Sequence, residues 1–343
     1  MAEEAKINKT FNLPLLEKSL DYLSGDNLEK KVKKYTKTIL IPLIAIAVFL
    51  SLWGAGAAQV QTSLGVLPGP GAVWEQTKSL YSEHKAERNK EAKFYDRMQK
   101  RIDKAIAAGK PQERIEKLES RKYTGPVTFI DQIFTSLVTV MTGFILASLI
   151  AIPLGIVIGM SNTLYQAFNP IIQLFKPVSP LAWLPLVTMV VSAVYVTSDP
   201  MFTKSYLTSA ITVTLCCLWP TIINTAVGVS GVSKDLINVS RVLRLNWFTK
   251  TVKVVIPSSI PMIFTGLRLS LSIGWMVLIA AEMLAQNPGL GKFVWDEFQN
   301  GSSDSLARIM VAVLVIGFIG FILDRTMLIL QRSVNWDKSA ILR

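Results

Sequence analysis

The chain has 343 residues, half of them hydrophobic and only 17% charged, with 36 Lys and Arg against 24 Asp and Glu for a net charge of +12. A soluble domain carries about 25% charged residues, and here the missing charge leaves long uninterrupted apolar stretches, which excludes an ordinary soluble fold and points to membrane spans. The basic excess flanks those stretches, so it calls for no nucleic acid, and one histidine (His84) with two adjacent cysteines (Cys216, Cys217) supplies no metal-ligand set.

In chain order, residues 1–38 are mixed in charge. Leu13 to Leu23 read as a short amphipathic helix for a membrane surface, and the run Lys30-Lys31-Val32-Lys33-Lys34 leads into a first apolar span at 39–58. No small-residue cleavage site follows it, so it reads as a retained anchor. A long loop, 59–131, comes next. Within it 79–122 holds thirteen Lys/Arg against eight Asp/Glu and reads as a charged helical hairpin broken at Ala108-Gly109-Lys110-Pro111. Glu113 and Lys117 are spaced for an ion pair. A solvated insertion is the plain reading of this hairpin, and a docking surface is the sharper one.

Five further spans complete a core at 132–332: 136–160, 181–197, 206–227, 262–285 and 309–330. Pro177, Pro180 and Pro185 bend the approach to the short third span. Gly155 and Gly159 give the second span a small-xxx-small face. Five lysines, Lys30, Lys31, Lys33, Lys34 and Lys37, precede the first span, and no basic residue follows it until Lys78. That bias puts the N-terminus in the cytoplasm. Six spans return the tail, 333–343, to the same side. The charged hairpin then lies outside, where the charge rule weakens for loops longer than about 60 residues.

The segment 230–261, between the fourth and fifth spans, is cytoplasmic in this topology. It is amphipathic and basic. Leu236, Val239 and Leu243 form one apolar strip, with Arg241 and Arg244 on another face. Ser233 caps this helix, Asn246 caps a second one, and Pro257 ends the second. An amphipathic helix outside the membrane must lay its strip on another chain or on the bilayer surface. No G-x-x-x-x-G-K-[ST] motif occurs. Its nearest imitation, Gly289-Leu290-Gly291-Lys292, has the wrong spacing and reads as a loop.

This segment resembles the cytoplasmic coupling loop of ATP-binding-cassette importer permeases, whose motif runs E-A-A, three residues, G, nine residues, I-x-L-P. The spacing fits at Asn238-Val239-Ser240, Arg244 and Val254-Val255-Ile256-Pro257, with Asn for Glu, Ser for the second Ala and Arg for Gly. PLAWLP (180–185), WPTIINTAVGV (219–229), NVSRVLRL (238–245), FTGLRL (264–269), AAEML (280–284) and FVWDEF (293–298) are similar to permeases of the nitrate, bicarbonate and sulfonate group. The loop form is most similar to the nitrate and bicarbonate members. The resemblance covers 136–332 and the LPGPGAVW stretch at 67–74, and leaves the hairpin out.

The resemblance implies an all-α membrane protein of the type I importer permease fold, with six transmembrane helices and an added charged insertion, in a bacterial inner membrane. It implies that two copies form the pathway and that two separate ATPase chains, holding ATP and magnesium, grip the loops through Asn238, Val239, Ser240, Arg241, Leu243, Arg244, Leu245 and Pro257. A periplasmic or lipid-anchored binding protein delivers a small anion, nitrate first, with nitrite, bicarbonate, cyanate and alkanesulfonate or taurine open. The chain itself is no enzyme. An ion-coupled transporter or channel would need paired acids or matched broken helices, and a membrane enzyme would need a nucleophile–base pair; neither is visible.

Two ionisable residues lie inside the fifth span, Arg268 and Glu282, and are candidates for pathway or gate. Fourteen residues apart, they fall within about 40° of one face and about 21 Å apart, too far to pair. Arg268 either bonds a neighbouring helix or attracts an anion. Glu282 repels anions when ionised, so a gate or packing role fits it better. Asp324 and Arg325 read as interfacial. The hydroxyls and amides of Ser148, Thr188, Ser192, Thr212, Thr214, Asn224, Thr225, Ser270 and Ser272 suit an anion pathway or ordinary helix packing equally.

Overall fold

The computed structural model describes residues 36–62, 65–196, 201–302 and 304–334. The expected surface helix at Leu13 to Leu23 and most of the tail at 333–343 lie outside the described residues. The chain divides at Gly71 into two compact units.

In the first unit a five-residue π-helical turn, Thr36–Leu40, runs into α1, Ile41–Ala57. The α1 sequence, IPLIAIAVFLSLWGAGA, is apolar on almost every side, and only Ala57 is buried. Two two-residue strands, β1 (Gln61–Thr62) and β2 (Gly65–Val66), pair antiparallel behind it.

Helix α2 starts at the division, and everything after it belongs to the second unit. It is a long rod, Pro70–Ala107, and α3, Gln112–Glu119, folds back on it. Gly109, at φ 62, makes the turn between them. Met98, Ile102, Ala105 and Ile115 bury a small seam between the two arms, with Phe94 and Leu118 against it. The hairpin is therefore not a purely solvated insertion. Its base is also fastened to the core. His84 Nδ1 lies 2.6 Å from the Thr128 hydroxyl, Arg88 donates to Asp131 at 3.1 Å, and Arg308 pairs with Glu83. Arg308 also reaches Glu297 at 3.2 Å. Tyr123 donates to Glu87 at 2.5 Å, and this bond holds the Glu87 carboxyl below the ordinary carboxylate range despite its burial. Glu113 and Lys117 form no ion pair. The helical pairs that do form are Glu75–Lys78, Glu87–Lys90, Arg88–Glu91 and Asp96–Lys100.

The core is α4 (Phe129–Met160), α5 (Asn162–Phe175), α6 (Pro180–Val194), α7 (Lys204–Ser230), a loop helix α8 (Lys234–Val242), α9 (Trp247–Lys250), α10 (Ile256–Ala285), α11 (Leu290–Asn300) and α12 (Ser305–Val334). Thr128 and Asp131 close a capping box at the start of α4. Among the described residues four segments are long and apolar enough to cross a membrane: α4, α7, α9 through α10, and α12. Helices α5 and α6 make a fifth if taken together, bent by 96° at Lys176 to Ser179, where Pro177 and Pro180 forbid a continuous helix. The first expected span is α1, short for a crossing.

Lipid offers no hydrophobic drive between helices, so they associate by close packing. Helix α7 is the centre, held between α4 and α10. A Cβ on Gly155 would lie 2.6 Å from Thr225 Cβ, and one on Gly159 would lie 2.6 Å from the Ala226 carbonyl. The small face of α4 is thus the seam with α7. Cys216 and Cys217 are free thiols buried in this packing, with Cys217 Sγ on the Ser270 carbonyl at 3.2 Å.

Candidate functional site

The segment before α10 builds a projecting platform. Ser233 accepts from Leu236 N to start α8, and Asn246 Oδ1 accepts from Thr249 N at 2.7 Å to start α9. The platform stands on Val255, Val229 and Ile156, a buried cluster where α4 and α7 end. Ser240 faces inward and is buried, its hydroxyl on the Ile237 carbonyl. The other face of α8 is open. Leu236, Val239 and Leu243 are 44%, 54% and 64% exposed, and the nearby Val242, Trp247 and Phe248 are exposed as well. Asn238, Arg241, Arg244 and Pro257 are exposed and Leu245 is half-buried. No acid occurs between Asp235 and Glu282, while Arg241, Arg244, Lys250 and Lys253 are all basic.

Helix α8 ends with two backbone bonds, Leu245 N to the Ser240 carbonyl at 3.0 Å and Arg244 N to the Arg241 carbonyl at 2.9 Å. This pattern requires a left-handed residue after the cap, ordinarily glycine. Arg244 takes it at φ 50, at a cost of roughly 1–2 kcal/mol for a residue with a Cβ.

Pro257 does not end the second helix. The chain runs from α9 through a π-helical turn, Thr251–Val255, directly into α10, with Pro257 in its first turn. Proline is tolerated there, because first-turn amides lack partners anyway, and the wider turn before it re-registers the ladder.

The two interior charges are both engaged within the chain. Arg268 grips Asp324 of α12 with two bonds, Nε at 2.5 Å and Nη2 at 2.8 Å. Asp324, near the C-terminal end of the sixth expected span, is the partner of Arg268. Its neighbour Arg325 stacks over Phe321. Glu282, fully buried, accepts from Ser136 Oγ and, at 3.0 Å, from Gly291 N. Ser136 Oγ in turn accepts from Leu290 N at 2.9 Å. The carboxylate thus sits at the N-terminus of α11, where free amides and the helix dipole favour it. A Cβ on Gly289 would strike the Glu282 carboxylate, and one on Gly291 would strike the Ile279 carbonyl. So Gly289-Leu290-Gly291-Lys292 is not a loop: Gly289 caps α11 and the next three residues begin it. The glycines allow the close approach.

Most of the candidate pathway hydroxyls are engaged within the chain. Ser148, Thr188, Thr212 and Thr214 each bond a carbonyl one turn back. Ser270 meets Thr221 at 2.6 Å, and Asn224 bonds the Pro220 carbonyl. The Thr225 hydroxyl is buried without a hydrogen-bond partner. The Arg268–Asp324 pair was hidden in the sequence by a gap of 56 residues. Its signal was a lone acid in one apolar span facing a lone base in another. The Ser136–Glu282 bond had no comparable signal.

These features define a polytopic α-helical membrane protein with an amphipathic platform between two of its spans, whose outer face has no partner among the described residues. Comparison with known proteins agrees. Residues 151–336 match the family model "Binding-protein-dependent transport system inner membrane component", and the chain belongs to this family, the permease subunits of ATP-driven importers. It is 31% identical over 300 residues to the nitrate import permease protein NrtB of Synechocystis sp., covering 88% of this chain and 90% of that one. It is 37% identical to the same permease from Leptolyngbya laminosa, across 56% of this chain and 64% of the relative. It is 31% identical to the bicarbonate transport system permease protein CmpB of Synechococcus elongatus, across 89% and 92%. Among solved structures, the MetNI methionine ABC transporter in inward-facing conformations has the same fold, with a TM-score of 0.52 at 13% identity over 60% of this chain and 95% of that one. The chain is a multi-pass inner-membrane transport subunit. Its family works with ATPase and solute-binding partners, and the ATPase is a separate chain.

Proposed function

We propose that this protein is the membrane permease of an ATP-driven importer for a small oxyanion, nitrate before bicarbonate or taurine. The observation that carries the coupling assignment is the open apolar and basic face of α8, which stands clear of the membrane helices with no partner among the described residues. An ATPase seated there transmits its closure through the Val255–Val229–Ile156 cluster into α10, α7 and α4. The docking surface comprises Asn238, Val239, Arg241, Leu243, Arg244 and Leu245, while Ser240 and Pro257 shape it. Two copies of the chain enclose the pathway, the termini and α8 face the cytoplasm, and the hairpin at 79–122 lies outside. Arg268, neutralised by Asp324, pins α10 to α12. Glu282 holds α11 in place. Neither is a solute ligand in this reading.

What favours nitrate is the higher identity to nitrate permeases, 37% over 193 residues and 36% over 204, against 31% to the bicarbonate permease. The test is uptake of labelled nitrate in cells lacking this chain, with and without the gene restored, competed separately by nitrite and bicarbonate. Restored uptake that cold nitrate blocks supports the proposal. Restored bicarbonate or taurine accumulation without nitrate uptake replaces the solute but keeps the importer.

A further inference from the structure

Two described residues other than glycine have positive φ, Arg244 and Gln286, and both lie just after helix ends. Gln286 is held by its own side chain: Nε2 donates to the Met283 carbonyl at 2.7 Å and Oε1 accepts from Lys292 at 3.2 Å. Nothing comparable holds Arg244. It is exposed, and its guanidinium makes no hydrogen bond or ion pair with any described residue. Glycine would adopt this conformation without strain. A costly residue at a position that suits glycine, with no compensating side-chain contact among the described residues, directs attention to a contact with another molecule.

The surroundings set the chemistry of that contact. Arg244 follows Val242 and Leu243, 82% and 64% exposed, and precedes the exposed Trp247 and Phe248. When a protein covers this surface, the guanidinium loses its water and requires an anion. No carboxylate of the loop can supply it, because none occurs from Leu236 to Ala281. A planar guanidinium on a fixed backbone suits a bidentate carboxylate. A diffuse lipid surface requires no fixed direction, and a lysine on unstrained backbone would serve it as well.

We propose that Arg244 determines partner specificity: its guanidinium pairs with a carboxylate of the ATPase subunit seated on α8. This rests on the reading that α8 holds an ATPase. In the complex the apolar neighbours exclude water from the pair, and an ion pair that is worth little when exposed becomes discriminating.

The test compares Arg244→Gly, Arg244→Asn and Arg244→Glu with Leu243→Asp, each co-expressed with its ABC ATPase and purified in detergent. Three quantities are read: the thermal midpoint of the isolated chain, the ATP hydrolysis retained in the eluate, and binding of the isolated chain to phosphatidylglycerol vesicles. Glycine and asparagine both tolerate the left-handed geometry. The expected result is a midpoint unchanged or raised for both, with retained ATPase reduced about ten-fold. Arg244→Glu should lose as much ATPase as Leu243→Asp. The proposal is overturned if the Gly and Asn variants retain wild-type ATPase while Leu243→Asp loses it. It is also overturned if those two variants keep ATPase but lose binding to phosphatidylglycerol vesicles, which assigns the guanidinium to lipid. If Leu243→Asp retains ATPase as well, the docking assignment of α8 itself fails.

Discussion

At the Ala285 end of α10, Glu282 is surrounded by donors, Ser136 Oγ and Gly291 N, and Leu290 N is satisfied by the same serine. At the Ile256 end, about 45 Å away along the axis, Val242, Leu243, Trp247 and Phe248 stand open beside bases without acids. One end is closed on itself, with its polar groups satisfied and glycines where bulk would intrude. The other leaves apolar area in water and carries a strained arginine. A lone acid in a membrane helix invites a functional reading, yet here the charge is used internally. The site that lacks something is the loop, and incompleteness marks it as the place where another chain belongs.

That contrast can be broken experimentally. The largest effect falls on the open end. Arg241→Glu with Leu243→Asp should insert normally yet reduce ATP-driven uptake about 30-fold or more, the loss expected of an interface hot spot. Transport at the wild-type rate would remove the distinction between the ends. At the closed end, Glu282→Ala strands the Gly291 amide and one Ser136 bond. It should destabilise the chain by about 2–4 kcal/mol and speed amide exchange at Leu290 and Gly291, while ATPase retention is unchanged. Arg268→Gln should cost about 2–3 kcal/mol, since it leaves Asp324 unpaired. The exchanged pair, Arg268→Asp with Asp324→Arg, should recover more than half of the reversed single-site loss. No recovery would argue that Arg268 acts on the solute rather than on α12.

The smallest effect concerns the hairpin. Folding lowers the Glu87 carboxyl below its ordinary value of 4.5, chiefly through Tyr123. A carboxyl lowered by folding contributes stability above its unfolded value and loses it as pH falls through its folded value. Tyr123→Phe should therefore reduce hairpin protection at neutral pH, and the difference from wild type should vanish below the folded value. Hydrogen exchange of α2 and α3 against pH reads this directly. A difference independent of pH would mean that the hydroxyl acts without the carboxylate.

Local chemistry was legible in the sequence where it acts over a few residues. Ser233 and Asn246 cap where their spacing predicts, and the apolar strip Leu236–Val239–Leu243 forms as read. The apolar runs located the long helices. Pro257 misled because proline is tolerated in the first turn of a helix, and the π-helical turn before it leads straight into α10 instead of ending there. The glycines at 289 and 291 suggested a loop, but they mark close approach between α11 and Glu282. Arg268–Asp324, Ser136–Glu282 and Arg308–Glu83 join residues 56, 146 and 225 positions apart. Pairings at that distance depend on tertiary packing, which the periodicity of one segment does not encode.

The most direct test of the account is ATP-driven uptake of labelled nitrate into proteoliposomes holding this chain, its ATPase and its binding protein. The wild-type chain is compared with the Arg241→Glu, Leu243→Asp variant at equal insertion. The account predicts ATP-dependent accumulation for the wild type and neither retained ATPase nor accumulation for the variant. Equal ATPase retention and equal uptake by the two would contradict it.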